Sequence, residues 1–400
     1  MQLSSGRAKQ IDAYISAHPD AEVGKWPLEI AGEKNILPFY RIPIKQLLCF
    51  NVNNGRLAMD IKEWEKIQGR ELDATDPDDT KIIRKMLLDL DTGKTSILKE
   101  DIRKKRQMEP GVITHDGFVI NGNRRMAVLL DLHEEEPTGK WEYLEAVRLP
   151  STVTEKDVWK IEAGLQLSKD KIAEYHPVNE LLKIKQGIDA KLSVDEIAAA
   201  MYGRTKDEIT SSLARLQLID DFLEFFNQKG NYGVIKKFGL HEYFIDLQKS
   251  VIAAWDKRGL SIKDKKVELI GAFALLAAQI KIQSPETGKK KEKGITHWDI
   301  RKLGKIYADV DAKDACTQSV MQQIKKPLTV DPATLIDDFK SAEELINMKD
   351  QRDQPVRLIE KATKALQNID RTNKHFRETK VKEMMDKLAA VVADIQKDLF

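Results

Sequence analysis

The fold class the sequence predicts is an α+β N-terminal domain followed by a mostly α-helical region with a helix-turn-helix and a long C-terminal helix. Three observations carry that expectation. Between residues 39 and 149, short β-branched runs alternate with amphipathic stretches, the pattern of a small mixed sheet with helices packed on it. After Pro150 the pattern turns almost wholly helical. Within that second part, two short helical segments flank a Gly-bearing turn between Ser193 and Leu218, which is how a helix-turn-helix reads in sequence. At 400 residues the chain has room for two or three domains.

The elements follow in order. Residues 1–35 hold a helix-like segment over 6–17, then Pro, Gly and charge without strong periodicity, and are expected to form an arm. Residues 36–150 make up the α+β unit. Its first strand runs over 40–44, and 78–89 is amphipathic, with Ile82, Ile83, Met86, Leu87 and Leu90 on one face. The runs 112–114 and 118–120 flank an Asp116-Gly117 turn and predict a hairpin. A helix through Leu132 and a strand over 143–148 close the unit, and Pro150 ends it. Residues 151–228 are expected to be a helical helix-turn-helix domain, 229–350 a helical domain of unassigned role, and 351–400 a long helix that either dimerises or packs against the chain's own helices. In the last of these Pro355 is placed as the first helical residue. Ile359, Ala362, Leu366, Ile369, Asn373 and Phe376 follow 3-4 spacing.

The segment 111–130 carries the strongest chemical signal. A strand runs into Asn121-Gly122-Asn123, and Arg124-Arg125 opens a helix. Such a turn presents unpaired backbone N–H groups and the positive end of a helix dipole, an anion seat. Two arginines at a helix start oppose that dipole unless an anion lies between them. Gly122, Asn123, Arg124 and Arg125 are therefore the candidate phosphate-binding residues. A solvated helix face is the plainer alternative.

The second signal is a pair of capping boxes, Ser193 with Glu196 and Thr205 with Glu208. Ile197, Ala198 and Met201 face inward on the first helix; Ile209, Leu213 and Leu216 do so on the second. The outer face of the second helix and the turn before it offer Arg204, Thr205, Lys206, Thr210, Ser211, Ser212 and Arg215, hydrogen bonders and cations suited to base edges or phosphates. Asp207 and Glu208 oppose a phosphate surface. An ordinary αα-hairpin is the competing reading.

These two signals, in this order, resemble the ParB/sulfiredoxin-like superfamily. In ParB proteins a strand pair leads into a Gly-Glu-Arg-Arg box, and Gly122-Asn123-Arg124-Arg125 stands in that place with Asn for Glu. Gln107-Met108-Glu109-Pro110 resembles the turn before the first strand. ParB and KorB proteins continue with a helix, a Pro-led helix and a helix-turn-helix, as 155–218 does here. The resemblance spans roughly residues 40–225. It implies a nucleoside triphosphate, CTP or ATP, with Mg²⁺, duplex DNA as partner, a homodimer, and a partition ATPase or a defence-system partner in a plasmid- or phage-related setting. The family's Glu-Asn-x-x-Arg motif has its nearest counterpart in Glu162-Ala163-Gly164-Leu165-Gln166, where only the Glu remains; Glu162 is a candidate ligand for a hard cation or, equally, a solvated helix residue. The sulfiredoxin branch uses a cysteine where this chain has Asn123, and an amide cannot act as that nucleophile.

Composition sets the remaining bounds. The net charge of +2 is nearly balanced, so any DNA binding rests on a local patch. Cys49 and Cys316 lie far apart and form neither a metal spacing nor a disulfide framework. Residues 1–14 do not read as a signal peptide, and the most apolar run, 269–282, is too short to span a bilayer. A cytoplasmic protein without membrane contact is expected. The leading function is duplex DNA binding coupled to nucleotide binding. The alternatives are a metal-dependent nuclease or nucleotide hydrolase using Asp116, Asp131, Glu134, Glu135 or Glu162, and an interaction protein with a degenerate pocket. The Lys run within 284–294 reads as an exposed basic loop.

Overall fold

A computed structural model describes residues 4–52, 55–137, 139–167, 175–284, 294–323 and 326–399. Most of the Lys-rich loop expected within 284–294 lies outside them. The chain begins with helix α1 (Ser5–Ala17), strands β1 (Glu22–Ile30) and β2 (Glu33–Pro43), and the single turn α2 (Ile44–Leu47). Helices α3 (Ala58–Gln68), α4 (Pro77–Asp89) and α5 (Thr92–Lys105) follow, then β3 (Gly111–Ile113), β4 (Val119–Asn121), α6 (Asn123–Glu135) and β5 (Tyr143–Arg148). The five strands form one mixed sheet in the order β1-β2-β5-β3-β4, with β3 and β5 parallel and the other pairs antiparallel.

The N-terminal residues are thus built into the sheet and are not a free arm. β1 pairs with β2 from Glu22↔Tyr40 to Ile30↔Glu33 across a two-residue turn, Ala31 (φ 53°) and Gly32 (φ 85°). Positive φ at both central residues matches the right-handed twist of the strands. Helix α1 docks beside the Asp116-Gly117 hairpin. Ser4 N donates to Asp116 Oδ2 at 2.9 Å, and Arg7 Nε and Nη2 donate to the carbonyls of Asp116 and Leu47.

The sheet is covered on both faces because its buried residues alternate. Ile42, Ile113, Val119 and Leu144 pack with Met126, Leu129 and Leu132 of α6 and with Ile83 and Leu87 of α4. Leu28, Val112, Ile120 and Val147 face the other way, onto Ile161. Ile161 belongs to α7 (Glu155–Gln166), which opens the helical part. Then come α8 (Pro177–Asp189), α9 (Val194–Ala200), α10 (Lys206–Phe225), α11 (Gly233–Lys237), α12 (His241–Ser250), α13 (Ile262–Gln283), α14 (His297–Ile306) and α15 (Val310–Gln322). The chain ends in α16 (Pro332–Gln367) and α17 (Thr379–Lys397).

Two expected boundaries move. The core does not divide near residue 228: Leu216, Ile219, Phe222 and Leu223 of α10 pack in one cluster with Leu247, Phe273, Leu303 and Phe339. Nor does one long helix start at Pro355. Asp331 caps α16 through Ala333 N and Thr334 N, with Pro332 in its first turn and Pro355 in its interior. The helix then breaks before α17, where Asp370 Oδ1 takes the N–H and hydroxyl of Thr372 and Asn373 Oδ1 takes the N–H of His375. Side chains that bond their own backbone compete with the helix ladder. The expected apolar seam is therefore interrupted at Asn373.

Candidate functional site

The glycine turn forms as the sequence anticipates. Gly122 is the N-cap of α6 at φ 107°, a conformation that favours glycine, and it brings no capping side chain of its own. A close backbone approach supports the turn, since a Cβ on Gly122 would sit 3.3 Å from Gly111 Cα.

The four residues of the box do different things. Asn123 is 3% exposed. Its Oδ1 accepts from Asn51 N at 3.0 Å and its Nδ2 donates to Val119 O at 2.6 Å, so the side chain ties the loop before α3 to β4. A carboxylate could accept the first bond but not donate the second, which gives a physical reason for an amide here. Arg125 turns its guanidinium to the Glu109 carbonyl, and burial lowers its pKa from the ordinary arginine range. Arg124 is half-buried on the first turn of α6.

Glu162 lies beside this turn, buried in an ion pair. Its Oε2 is 2.6 Å from Lys183 Nζ, and the two side chains are 4% and 2% exposed. Its Oε1 takes Gln166 Nε2 at 3.1 Å and Gly55 N at 3.4 Å. Gln166 Nε2 also reaches Ile120 O at 3.3 Å, two residues before Gly122, and Gln166 Oε1 accepts from the Tyr175 hydroxyl at 3.2 Å. Sequence reasoning does not reach Lys183, whose Nζ lies over Trp159, 5.5 Å from that ring's centroid. Glu162 thus already holds a cation, and that cation belongs to the chain. Among the described residues no three His, Cys, Asp or Glu side chains come together in a metal-holding group.

The other carboxylates considered for nuclease chemistry are tied up separately. Asp116 is fully buried and holds Ser4 N and the Thr114 hydroxyl. Asp131, Glu134 and Glu135 pair with Arg84, Lys99 and Arg103 between α6, α4 and α5.

The two helices on either side of the Gly203 turn form as α9 and α10, the second running 20 residues and so longer than the short helix expected. Both capping boxes form, with Ser193 and Thr205 each bonded reciprocally to the glutamate three residues on. Ile197, Met201 and Ile209 share a small core with Trp159 of α7 and Ile184 of α8. The outward residues divide. Thr205, Lys206 and Thr210 are exposed, although Lys206 Nζ lies 3.0 Å from Asp195 Oδ2 and the Thr210 hydroxyl donates to Lys206 O at 3.0 Å. Arg204 is held by Glu180 of α8. Ser211, Ser212 and Arg215 are only partly exposed, and α12 lies against two of them: Arg215 Nε donates to Gln248 Oε1 at 3.1 Å, while Gln248 Nε2 donates to Ser211 O. Burial lowers the Arg215 pKa. Asp207 and Glu208 occupy the first turn of α10.

The two parts meet through a continuous set of contacts. Ile120 O touches Gln166, Gln166 touches Glu162, Glu162 pairs with Lys183 on α8, and Glu180 of the same helix holds Arg204 at the turn before α10. Among the described residues no helix is long and apolar enough to cross a membrane. No known family model matches the chain, and no curated protein matches it.

Proposed function

We propose that the chain is a ParB-like DNA-binding protein in which α9 and α10 engage duplex DNA and the Gly122-led start of α6 takes an anionic group of a nucleotide. The observation that carries this reading is the pair of box-capped helices with a shared core, Thr205, Lys206 and Thr210 outward, following a Gly-led helix N-terminus. The contacts from Ile120 through Glu162 and Lys183 to Arg204 support coupling between the two sites, because they join elements that differential ligand contacts can bias together.

DNA binding is tested by fluorescence anisotropy with a labelled random duplex pool at several salt concentrations. The expected outcome is binding that weakens steeply with salt, and a shallower salt slope for Lys206→Ala. No binding at low salt overturns the DNA reading. Thermal shifts with CTP and ATP, each with and without Mg²⁺, test the nucleotide; a true ligand raises the melting point by mass action.

A homodimer belongs to the same reading, since helix-turn-helix proteins commonly read two half-sites. None of the residues of α17 is buried, and Met384, Val391 and Ile395 lie 50–58% exposed on one apolar stripe. Light scattering on the full chain checks the mass.

One observation favours a second reading, an interaction protein with a degenerate pocket. Asn123 and Glu162 both spend their polar atoms inside the chain. Failure of every nucleoside triphosphate in the thermal-shift panel, with DNA binding retained, supports it.

A further inference from the structure

We propose that the α+β unit carries a second small-molecule site, a cleft between the C-terminal end of α5, α6 and β5 that takes a compact organic anion with a flat apolar body. This site is independent of the DNA reading. The cleft holds about 390 Å³, within the range of about 300–1,000 Å³ typical of small-ligand pockets. Its floor is apolar: Ile102, Leu129 and Trp141 are each 2–3% exposed. Arg41, Arg106 and Lys140 stand around it, against the single carboxylate of Glu145, which pairs with Arg41 at 3.1 Å. Cations in excess over an apolar floor suit a ring that bears a carboxylate or phosphate.

The backbone supplies the independent observation. Arg106 ends α5 at φ 66°, ψ −160°, a region that is essentially reserved for glycine. The strain persists because both sides of the residue are held. Arg106 N donates to Ile102 O at 2.9 Å. The next side chain, Gln107, donates to Tyr143 O at 3.3 Å and accepts from Glu145 N at 3.2 Å, so it pairs with β5 as a strand would. The outcome is a guanidinium laid over Trp141, 4.7 Å from its ring centroid, at the mouth of the cleft. One face of the guanidinium is covered by the indole, and the exposed residue keeps its other face and its N–H edge for a ligand. Glycine would sit in that conformation without strain but would offer no guanidinium. A strained arginine in glycine's place, aimed over a cleft, is the arrangement expected where stability is traded for binding.

Calorimetric titration of the full chain with adenosine monophosphate, indole-3-carboxylate and inorganic phosphate tests this. At least one aromatic anion is expected to bind, inorganic phosphate at least tenfold more weakly. Arg106→Gly is expected to keep or raise the melting temperature while weakening binding tenfold or more, and Lys140→Ala to weaken it without changing the fold. The proposal is overturned if no aromatic anion binds at millimolar concentration, or if Arg106→Gly and Lys140→Ala leave binding unchanged. It is also overturned if inorganic phosphate binds as well as the aromatic anions. A melting temperature lowered by Arg106→Gly with binding intact assigns Arg106 a packing role and overturns it as well.

Discussion

Lys183→Met is the perturbation that most directly probes how the two halves of the chain are joined. Lys183 and Glu162 are 2% and 4% exposed at their side chains, with Nζ and Oε2 2.6 Å apart. Removing the ammonium leaves a buried carboxylate whose donors among the described residues are the Gln166 amide and Gly55 N–H. Breaking a buried pair from one side costs about 3–5 kcal/mol, whereas replacing both partners by neutral groups of similar volume is often close to neutral. The expected pattern is therefore asymmetric. Lys183→Met should lose about 3–5 kcal/mol, and Lys183→Met combined with Glu162→Gln should recover most of it. Urea unfolding followed by circular dichroism measures both, and the single variant should lower the midpoint by roughly 1 M or more. Trp159 fluorescence gives a local report, because its indole N–H donates to Lys183 O at 3.0 Å. A loss below about 1 kcal/mol, or a double variant no more stable than the single one, refutes the argument. If the proposed coupling runs through this pair, the double variant should still bind duplex DNA but lose any effect of nucleotide on that affinity.

Three further outcomes are expected. His176 caps α8 by accepting from Val178 N, and burial, His241 and Lys236 lower its pKa to about 4. The folded state therefore resists a proton that the unfolded chain takes up near 6.5. Stability should be full above that pH and fall by about 1–2 kcal/mol, screening allowed for, as pH drops from about 6.5 to 4; thermal melts of His176→Ser should be flat in that window. Asp79 accepts two bonds from Arg70 and one from Asp73 N, and the Arg70 guanidinium first, then that backbone bond, hold its pKa down at about 2. Its stabilising contribution should be present above about pH 4 and lost as pH falls to about 2, and acid titration of Asp79→Asn should lack that component. Gly117 sits at φ 90°, where a Cβ would collide with the Leu47 carbonyl and lie 2.9 Å from Ile11 Cδ1. Gly117→Ala should cost about 1–3 kcal/mol, read as a lower melting temperature.

What was legible in the sequence was what is encoded locally. The Asp116-Gly117 hairpin, the Gly122 turn and both capping boxes form, each within a residue or two of expectation, because their bonds run between near neighbours. The first hairpin was not legible. Its turn is Ala31-Gly32, where Asn-Gly would have announced it, and Leu28 is the only buried residue of β1. Pro355 misled for the opposite reason: a proline strongly marks a helix start, yet here it sits 23 positions into α16 beyond Pro332. The partners of the site residues were beyond reach. Lys183 is 21 positions from Glu162, and Asn51 is 72 from Asn123. Only the fold brings them together.

That internal satisfaction constrains any ligand of the Gly122 turn. A divalent ion at Glu162 has to displace Lys183, and the freed ammonium, 2% exposed and flanked by Trp159, has then to reach water or another anion. Desolvated and unpaired, it would cost several kcal/mol. Binding at the N-terminus of α6 carries no such penalty, since it leaves the Glu162–Lys183 pair intact. Two routes therefore differ in a measurable way. An anion that binds the amides alone leaves α8 where it is and needs no Mg²⁺. A metal–nucleotide complex held by Glu162 requires α8 to shift, and with it Glu180 and its bond to Arg204 in the turn before α10. Mg²⁺ dependence of nucleotide binding and nucleotide dependence of DNA binding should accordingly appear together or not at all.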